Sequence, residues 1–166
     1  MTLLQTRTAA LILALAGALA LGGALASQYW IGLVPCALCL VERWPWRAVI
    51  VVGLIAASLP PRAGRWALGI GLIVLLASTA LGAVHVGVEL GLWKSPLPEC
   101  AAPPLGTGSI AERLAAMPLR PAKPCDAPSY LVPGLPVSIA AMNLIWSVVV
   151  FLALAVYLAC SRGSRR

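Results

Sequence analysis

The chain has 166 residues, of which 61% are hydrophobic and only 10% are charged, and its formal net charge is +7. Soluble domains carry charges on about a quarter of their residues, so this composition excludes an ordinary soluble protein and favours one compact membrane domain. The arginines cluster at the ends of apolar runs, which argues against nucleic-acid binding and is typical of a membrane protein.

The first predicted transmembrane helix covers residues 8–28, a stretch without any charged residue. A cleaved signal peptide is the alternative, because Arg7, an apolar run and the small residues 24–27 imitate a cleavage site. The apolar run, about 19 residues, is longer than the roughly 7–15 of a signal peptide. It also leads to Tyr29 and Trp30, which suit a membrane interface. We therefore predict a retained helix.

Three further apolar stretches predict transmembrane helices, at residues 44–59, 66–92 and 136–159. The first of these would be only about 24 Å long at ~1.5 Å per residue, which is short for a hydrocarbon core of ~30 Å. We expect Trp44, Trp46 and the stem of Arg47 to extend it at the interface. Pro136 would lie in the first turn of the last helix.

Basic residues near the helix ends predict the orientation of the chain. Arg7 precedes the first helix, and Arg62 and Arg65 lie in the turn "PPRAGR" between the second and third. Three more arginines close the chain, at Arg162, Arg165 and Arg166. With four helices these places share one side, which the positive-inside rule puts in the cytoplasm together with both termini. The loops at about 29–43 and 93–135 then face the outer side of the membrane.

The cysteines divide unequally between the two sides. The outer loops hold four of the five, Cys36, Cys39, Cys100 and Cys125. Disulfides form and persist on that side, for example in a bacterial periplasm. Cys160 falls at the inner end of the fourth helix, where we interpret it as a free thiol that acts as a small apolar residue. Four cysteines allow three pairings, and spacing alone does not choose among them.

The second outer loop holds nine of the fourteen prolines, which rule out extended regular structure. One segment of this loop, "SIAERLAAM" at residues 109–117, contains no proline. Ser109 and Glu112 form a capping-box pattern there, and apolar residues recur on one face, at Ile110, Leu114 and Met117. We predict a short amphipathic helix on the membrane surface, with a helix packed on the loop itself as the alternative. A Cys100–Cys125 bridge around it would stabilise the fold by roughly 3 kcal/mol.

The stretch "VPCALCLVER", residues 34–43, carries the most informative chemistry. A C-x-x-C ring is too small to constrain much of the chain, and such rings are typical of redox-active sites. The spacing from this pair to the other cysteines and to His85 matches no common zinc site. Leu40 stands where a haem-attachment motif needs histidine. We therefore expect neither a metal nor haem.

Arg43 is the cation that follows this motif. It lies four residues after Cys39, so one helical turn would bring its charge near that sulfur and favour the thiolate. Anchoring to lipid headgroups is the alternative role. A helix that begins only at Pro45 would remove this proximity. Because no flavin or haem motif is present, a membrane thiol–disulfide enzyme would pass its electrons to a lipid-soluble acceptor.

The motif "PCALCLVER", the two later loop cysteines and four helices with both ends inside resemble the DsbB family (disulfide bond formation protein B). The segment "HVGVELGLW", residues 85–93, is similar to the end of the family's third helix. The resemblance covers nearly the whole chain and implies an all-α integral membrane protein with a four-helix bundle. It also implies a quinone-dependent oxidoreductase of the bacterial inner membrane that reoxidises a periplasmic DsbA-type thiol oxidase.

The resemblance further implies a role for each loop cysteine. Cys100 would form a mixed disulfide with the partner's attacking thiolate, and Cys125 would be its loop partner. Electrons would then pass to Cys36 and Cys39, with an interloop disulfide between Cys36 and Cys125 as an intermediate. The final acceptor would be ubiquinone or menaquinone from the membrane pool.

The quinone side involves three residues by the same resemblance. Cys39 would lie next to the quinone ring, and Arg43 would stabilise the thiolate and the reduced quinone. His85 matches a family histidine near the quinone, with an interfacial histidine bonded to Glu89 as the alternative. Two other functions remain open: a non-catalytic membrane scaffold held by disulfides, and an enzyme like vitamin K epoxide reductase. In the latter family the C-x-x-C follows the loop cysteines, whereas here it precedes them.

Overall fold

The computed structural model describes residues 3–100, 109–115, 123–131 and 134–163. The described residues form helices and one isolated bridge pair, with no strand among them. The α-helices are α1 Leu3–Tyr29, α2 Ala37–Val41, α3 Arg43–Ser58, α4 Pro61–Glu89, α5 Ile110–Ala115 and α6 Ile139–Gly163, and a 3-10 helix covers Pro98–Cys100. The predicted all-α fold class is confirmed.

Four helices, α1, α3, α4 and α6, pack side by side, with α1 on α3, α3 on α4 and α4 on α6. Three of them are long and apolar enough to cross a membrane: α1, α4 and residues Ile139–Ser161 of α6. The fourth, α3, has 16 residues, which is about 24 Å of helix. The structure is therefore that of a helical membrane protein, and the count of four spans stays a prediction.

The connection between α3 and α4 is shorter than predicted. α4 begins at Pro61, with Pro60 as its N-cap, because proline lacks an N–H that the first turn would leave unbonded. Arg62 and Arg65 consequently belong to the first two turns of α4, although we expected them in the turn. The connection shrinks to Leu59 and Pro60.

α3 begins at Arg43, two residues before Pro45. The proline is tolerated because its missing N–H is among the first four of the helix, which have no partner within it. Trp44 is exposed, and the Arg47 guanidinium lies 4.7 Å from the centre of its ring. Trp46 was expected at the interface beside them; that expectation is wrong, because its side chain is buried between the helices with 2% exposure.

α4 ends at Glu89, earlier than predicted, because Gly91 takes a positive φ of 69°. The Leu92 N–H then bonds back to the Gly87 carbonyl at 2.9 Å, as in a Schellman motif. The ring of Trp93 folds over Gly87, where a Cβ would lie 2.0 Å from the nearest ring atom. The two glycines of "HVGVELGLW" therefore fix how the chain leaves the helix.

α6 begins at Ile139, later than the predicted start at Pro136. Ser138 caps it, because its Oγ accepts a hydrogen bond from the Ala141 N–H at 3.1 Å. The same hydroxyl donates to the carboxylate of Glu89. The start of α6 is thereby tied to the end of α4.

α5 confirms the predicted capping box. The Ser109 N–H donates to Glu112 Oε2 at 2.7 Å, and the Glu112 N–H donates to Ser109 Oγ at 3.4 Å. The bond from the Ser109 backbone lowers the pKa of the Glu112 carboxyl. Residues 116 and 117 of the predicted helix lie outside the described residues, as do Arg165 and Arg166. Contact of α5 with a membrane stays a prediction.

Candidate functional site

The short helix α2 places the two cysteines of the C-x-x-C motif. Cys36 is its N-cap, and the Cys39 N–H donates to Cys36 Sγ at 3.2 Å. Both side chains are free thiols, with Cys36 buried and Cys39 half-buried. Because α2 ends at Val41 and α3 begins at Arg43, only Glu42 separates the cysteine pair from the long helix.

The two thiols differ in acidity. A hydrogen bond with the Cys39 side chain lowers the pKa of the Cys36 thiol, although burial acts in the opposite direction. The same bond, and then burial, raises the pKa of the Cys39 thiol. In the dithiol state Cys36 is therefore the first sulfur to ionise, with Cys39 as its hydrogen-bond donor.

His85 of α4 meets the cysteine pair inside the bundle. Its Nε2 lies 3.5 Å from Cys36 Sγ, and its Nδ1 lies 3.0 Å from Glu42 Oε1. The two sulfurs and a ring nitrogen of the histidine all lie within 4.8 Å of one another. Glu89, the alternative partner proposed for His85, instead accepts a hydrogen bond from the Ser138 hydroxyl.

The Glu42 carboxylate continues the network into α6. Asn143 Nδ2 donates to Glu42 Oε2 at 3.0 Å, and Trp46 Nε1 donates to Asn143 Oδ1 at 2.8 Å. Indole is only a donor, so the amide oxygen must face Trp46 and the NH₂ must face Glu42. The carboxylate then accepts at both oxygens, and His85 must present its Nδ1–H to it. In the neutral imidazole this leaves the Nε2 lone pair towards Cys36.

A largely apolar cavity of about 370 Å³ adjoins this network between α1, α3, α4 and α6. Both sulfurs of the C-x-x-C motif and the His85 ring form part of its wall, together with Arg43 and the apolar side chains of Leu19 and Trp146. Such a cavity, mostly apolar with a few convergent polar groups, is typical of a small-molecule site.

Arg43 lines this cavity and has one unpaired hydrogen-bond donor. Its side chain is only 8% exposed, with Nη1 2.7 Å from Gln28 Oε1 and Nη2 3.4 Å from the Ala24 carbonyl of α1. Among the described residues, its buried Nε has no hydrogen-bond partner. The two bonds to α1 hold the guanidinium in place and leave one buried N–H without a partner. Glu42, between α2 and α3, has φ −61° and ψ −18°, in the right-handed helical region, and the Arg43 guanidinium bonds to α1.

The other two loop cysteines form a disulfide, Cys100–Cys125, across a separation of 25 residues. It is the pairing that the resemblance implied. The bridge packs in one buried cluster with Cys36, Leu38 and Val88. A surface depression of about 630 Å³ borders Cys100, and its wall includes residues 91–95 after α4. The dithiol and the disulfide are thus neighbours inside the same end of the molecule.

All six predicted site residues line the cavity or belong to the buried cluster that contains the disulfide. Sequence reasoning gave no role to Glu42 or Asn143, and it placed Trp46 at the membrane interface. A signal for Asn143 existed, because a polar amide in an otherwise apolar helix is a functional candidate by default. Cys160 is exposed at the far end of α6, away from this site.

Comparison with known proteins points to one family. The family model "Disulfide bond formation protein DsbB" matches residues 6–157. A disulfide bond formation protein B of Cupriavidus necator is 30% identical over 160 residues, which cover 92% of each chain. One of Ralstonia nicotianae is 32% identical over 154 residues, covering 87% of each chain. No solved structure matches the chain significantly.

Proposed function

The chain belongs to the DsbB family, and from that premise we propose that it reoxidises a periplasmic DsbA-type dithiol oxidase and passes the electrons to a membrane quinone. It would act in the bacterial inner membrane, with four spanning helices, both termini in the cytoplasm and the cysteine loops in the periplasm. The observation that carries the proposal is the Cys36/Cys39 dithiol, which lines the cavity on one side and packs near a disulfide on the other.

Cys100 is the better entry point for the partner's electrons. It is 6% exposed whereas Cys125 is 1% exposed, and the surface depression borders Cys100. A partner thiolate attacks Cys100 Sγ, the S–S bond breaks, and Cys125 leaves as a thiolate.

The released Cys125 thiolate then attacks Cys36 in the oxidised C-x-x-C ring. A Cys36–Cys125 bond forms, the Cys36–Cys39 bond breaks, and Cys39 leaves as a thiolate. When the partner's second thiol has released Cys100, the Cys100 thiolate attacks Cys125 and frees Cys36. Two electrons have then moved from the partner to the Cys36/Cys39 pair, and the packing of these residues in one cluster supports each transfer.

The cavity fits a quinone headgroup. Its wall is mostly apolar, and the unpaired Nε–H of Arg43 is a donor that a quinone carbonyl oxygen can accept. A bound quinone supplies the acceptor for two electrons and two protons. Arg43 would hold the carbonyl by a hydrogen bond and stabilise negative charge, while His85 Nε2 would accept the Cys36 proton across 3.5 Å. Ubiquinone and menaquinone present the same carbonyls to this site.

The interloop disulfide would prepare Cys39 for its role. The hydrogen bond to Cys36 is the largest cause that raises the pKa of Cys39. Once Cys36 is bonded to Cys125, that thiolate acceptor is gone, and Cys39 is free to act as the second sulfur of the pair. This order agrees with Cys39 as the sulfur beside the quinone.

Anaerobic mixing of the purified protein with a reduced DsbA-type partner and ubiquinone tests the proposal. We expect one quinone to be reduced for each partner disulfide formed. The same assay with menaquinone compares the two quinones. Thiol oxidation that does not depend on added quinone would contradict the proposal.

Two serine variants separate the enzyme from a non-catalytic scaffold. Cys36→Ser removes the sulfur that links the two pairs and should abolish quinone reduction. Cys160→Ser, at the exposed far end of α6, should leave the rate unchanged. A scaffold held together by disulfides would retain its function in both variants.

A further inference from the structure

We propose that Cys36, Cys39 and His85 form a site for a single Zn²⁺ ion when the cysteine pair is reduced. These three side chains each offer one ligand atom, and all three atoms lie within 4.8 Å of one another. Two thiolates and one imidazole are a donor set that zinc favours, and three protein ligands leave its fourth position open.

The spacing of the ligand atoms fits tetrahedral zinc. Bonds of ~2.3 Å to sulfur and ~2.0–2.1 Å to nitrogen at a tetrahedral angle put the two atoms about 3.6 Å apart. The observed distance between Cys36 Sγ and His85 Nε2 is 3.5 Å. An ion can therefore enter between them with little movement of α2 or α4.

In its neutral form the histidine has the required tautomer. The Glu42 carboxylate, with Oε1 3.0 Å from Nδ1, accepts the Nδ1–H, so the neutral ring directs its Nε2 lone pair towards the sulfurs. A carboxylate on the second ring nitrogen is the usual support of a zinc-bound histidine. Here Asn143 in turn fixes the carboxylate from α6. The support for the ion is thus built into three helices before any ion binds.

The redox state of the pair controls the site. Binding replaces the two S–H protons with two S–Zn bonds and releases two protons to solvent, whereas a Cys36–Cys39 disulfide has no thiolate to offer. The fourth position can take a water molecule from the adjoining cavity, whose wall contains all three ligands. The motif spacing did not predict this site because His85 lies 49 residues after Cys36 and meets it only through helix packing.

A bound ion would hold the protein in its reduced state. Zinc occupies a lone pair on each of the two sulfurs that must join to form a disulfide, and it fills the wall of the cavity beside Arg43. This consequence rests on the proposed function: excess zinc would stop the transfer of electrons out of the Cys36/Cys39 pair, and a chelator would restore it.

Cobalt binding tests the site without partner or quinone. We use the full-length Cys100→Ser/Cys125→Ser/Cys160→Ser variant, reduced, and add Co²⁺ as a spectroscopic substitute for zinc. We expect one Co²⁺ per chain, with thiolate-to-cobalt charge-transfer absorption that zinc abolishes. The same variant with its remaining pair oxidised should bind none. Absence of binding by the reduced form, with helical circular dichroism intact, would overturn the proposal.

Two further variants separate the three-ligand site from a simple dithiol chelate. His85→Ala should lower the affinity for zinc at least tenfold and change the visible cobalt spectrum. Glu42→Gln should lower it about 10–100-fold while all three ligands stay in place. Equal affinities in the parent, His85→Ala and Glu42→Gln proteins would also overturn the proposal.

The kinetic arm uses the protein with all its cysteines, the reduced partner and quinone. Micromolar zinc should inhibit the reaction reversibly, and Glu42→Gln should need about 10–100-fold more zinc for the same fractional inhibition. If cobalt binds as expected but no quinone is reduced in any condition, the proposed function fails and the metal site stands. If quinone is reduced and zinc neither binds nor inhibits, the reverse holds.

Discussion

The two ends of the helical bundle are built in opposite ways. At the end where α3 meets α4, which we call the closed end, small residues bring backbones together. A Cβ on Gly53 would lie 2.8 Å from the Ala10 carbonyl, and one on Gly64 would lie 2.8 Å from the Ala56 carbonyl. Contacts this short leave no space for a ligand.

At the other end, which we call the cysteine end, two glycines of α1 border open space. Nothing lies within 4 Å of a Cβ built on Gly22 or Gly23 of α1, and Gly23 lines the cavity. Buried charge is concentrated here as well, with Glu42 and Arg43 exposed by 6% and 8%. Both groups would be costly to bury without partners.

The contrast shows how one apolar chain can be both rigid and reactive. The closed end holds the helices by backbone proximity and apolar packing, as membrane bundles do. The cysteine end can then keep a cavity and an unpaired donor without loss of the fold. A change at the closed end should therefore alter stability and leave electron transfer nearly unchanged. A change at the cysteine end should alter electron transfer and leave stability nearly unchanged.

The largest effect is expected from Glu42→Gln, at the centre of the buried network. The new amide NH₂ must face either the Asn143 NH₂ or the His85 Nδ1–H, so one donor meets another donor. We expect the rate of quinone reduction to fall about 10–100-fold, the usual cost of losing an orienting carboxylate. Stopped-flow absorbance of the quinone measures the rate.

Glu89→Gln is the matched control for that prediction. Glu89 also lines the cavity, but its carboxylate accepts from the Ser138 hydroxyl, and a glutamine oxygen can accept the same bond. An equal loss of rate in both variants would mean that any carboxylate lining the cavity supports quinone reduction. The hydrogen bonds of Glu42 to His85 and Asn143 would then not explain the effect.

Arg43→Ala sharpens the contrast within the cysteine end. Loss of a charged hydrogen-bond donor costs about 1.5–3 kcal/mol, so we expect the KM for quinone to rise tenfold or more while the KM for the thiol partner changes little. Arg47→Ala is the control, because Arg47 lies over the exposed ring of Trp44. Equal increases in both KM values would instead indicate a general role for Arg43 in folding.

Gly53→Ala should break the closed end. Its Cβ would lie 2.8 Å from two backbone atoms of α1, and backbone cannot move aside as a flexible side chain can. Overpacking of this kind costs about 1–3 kcal/mol, which thermal unfolding in detergent would detect. Gly23→Ala, where the space is open, should unfold like the parent protein. Equal stability of the two variants would refute the division into a closed end and a cysteine end.

Sequence patterns were sufficient to predict that the long helices exist, but they predicted the first and last residues of these helices less well. Apolar runs predicted four of them. Three of these runs have the length typical of helices that cross a membrane, whereas the run at 44–59 is shorter and contains Arg47. The limits depended on local backbone chemistry instead. Gly91 ends α4 through a positive φ, and Ser138 caps α6 after Pro136 rather than at it. Pro45 lies inside the first turn of α3 because that turn does not need its N–H.

For the site, sequence located the cysteines and His85 but not what joins them. The C-x-x-C motif is local and can be read from spacing. The Glu42–Asn143 bond crosses 101 residues and depends on how α6 packs in the bundle, which no single motif encodes. Trp46 illustrates the same limit, because its position near a helix end predicted an interface while its indole N–H bonds a buried amide.

The smallest effect is expected from Arg65→Met at the closed end. The Arg65 guanidinium reaches the carbonyls of Ser161 and Leu158, at 3.4 and 3.5 Å, in the last turns of α6. A cation at a helix C-terminus contributes about 0.3–1 kcal/mol, so the free energy of unfolding should fall by that amount while quinone reduction stays unchanged. Arg62→Met, an exposed arginine of the same helix, should alter neither. A slower reaction in Arg65→Met would show that the closed end controls the chemistry at the cysteine end through α6, because α6 also carries Asn143.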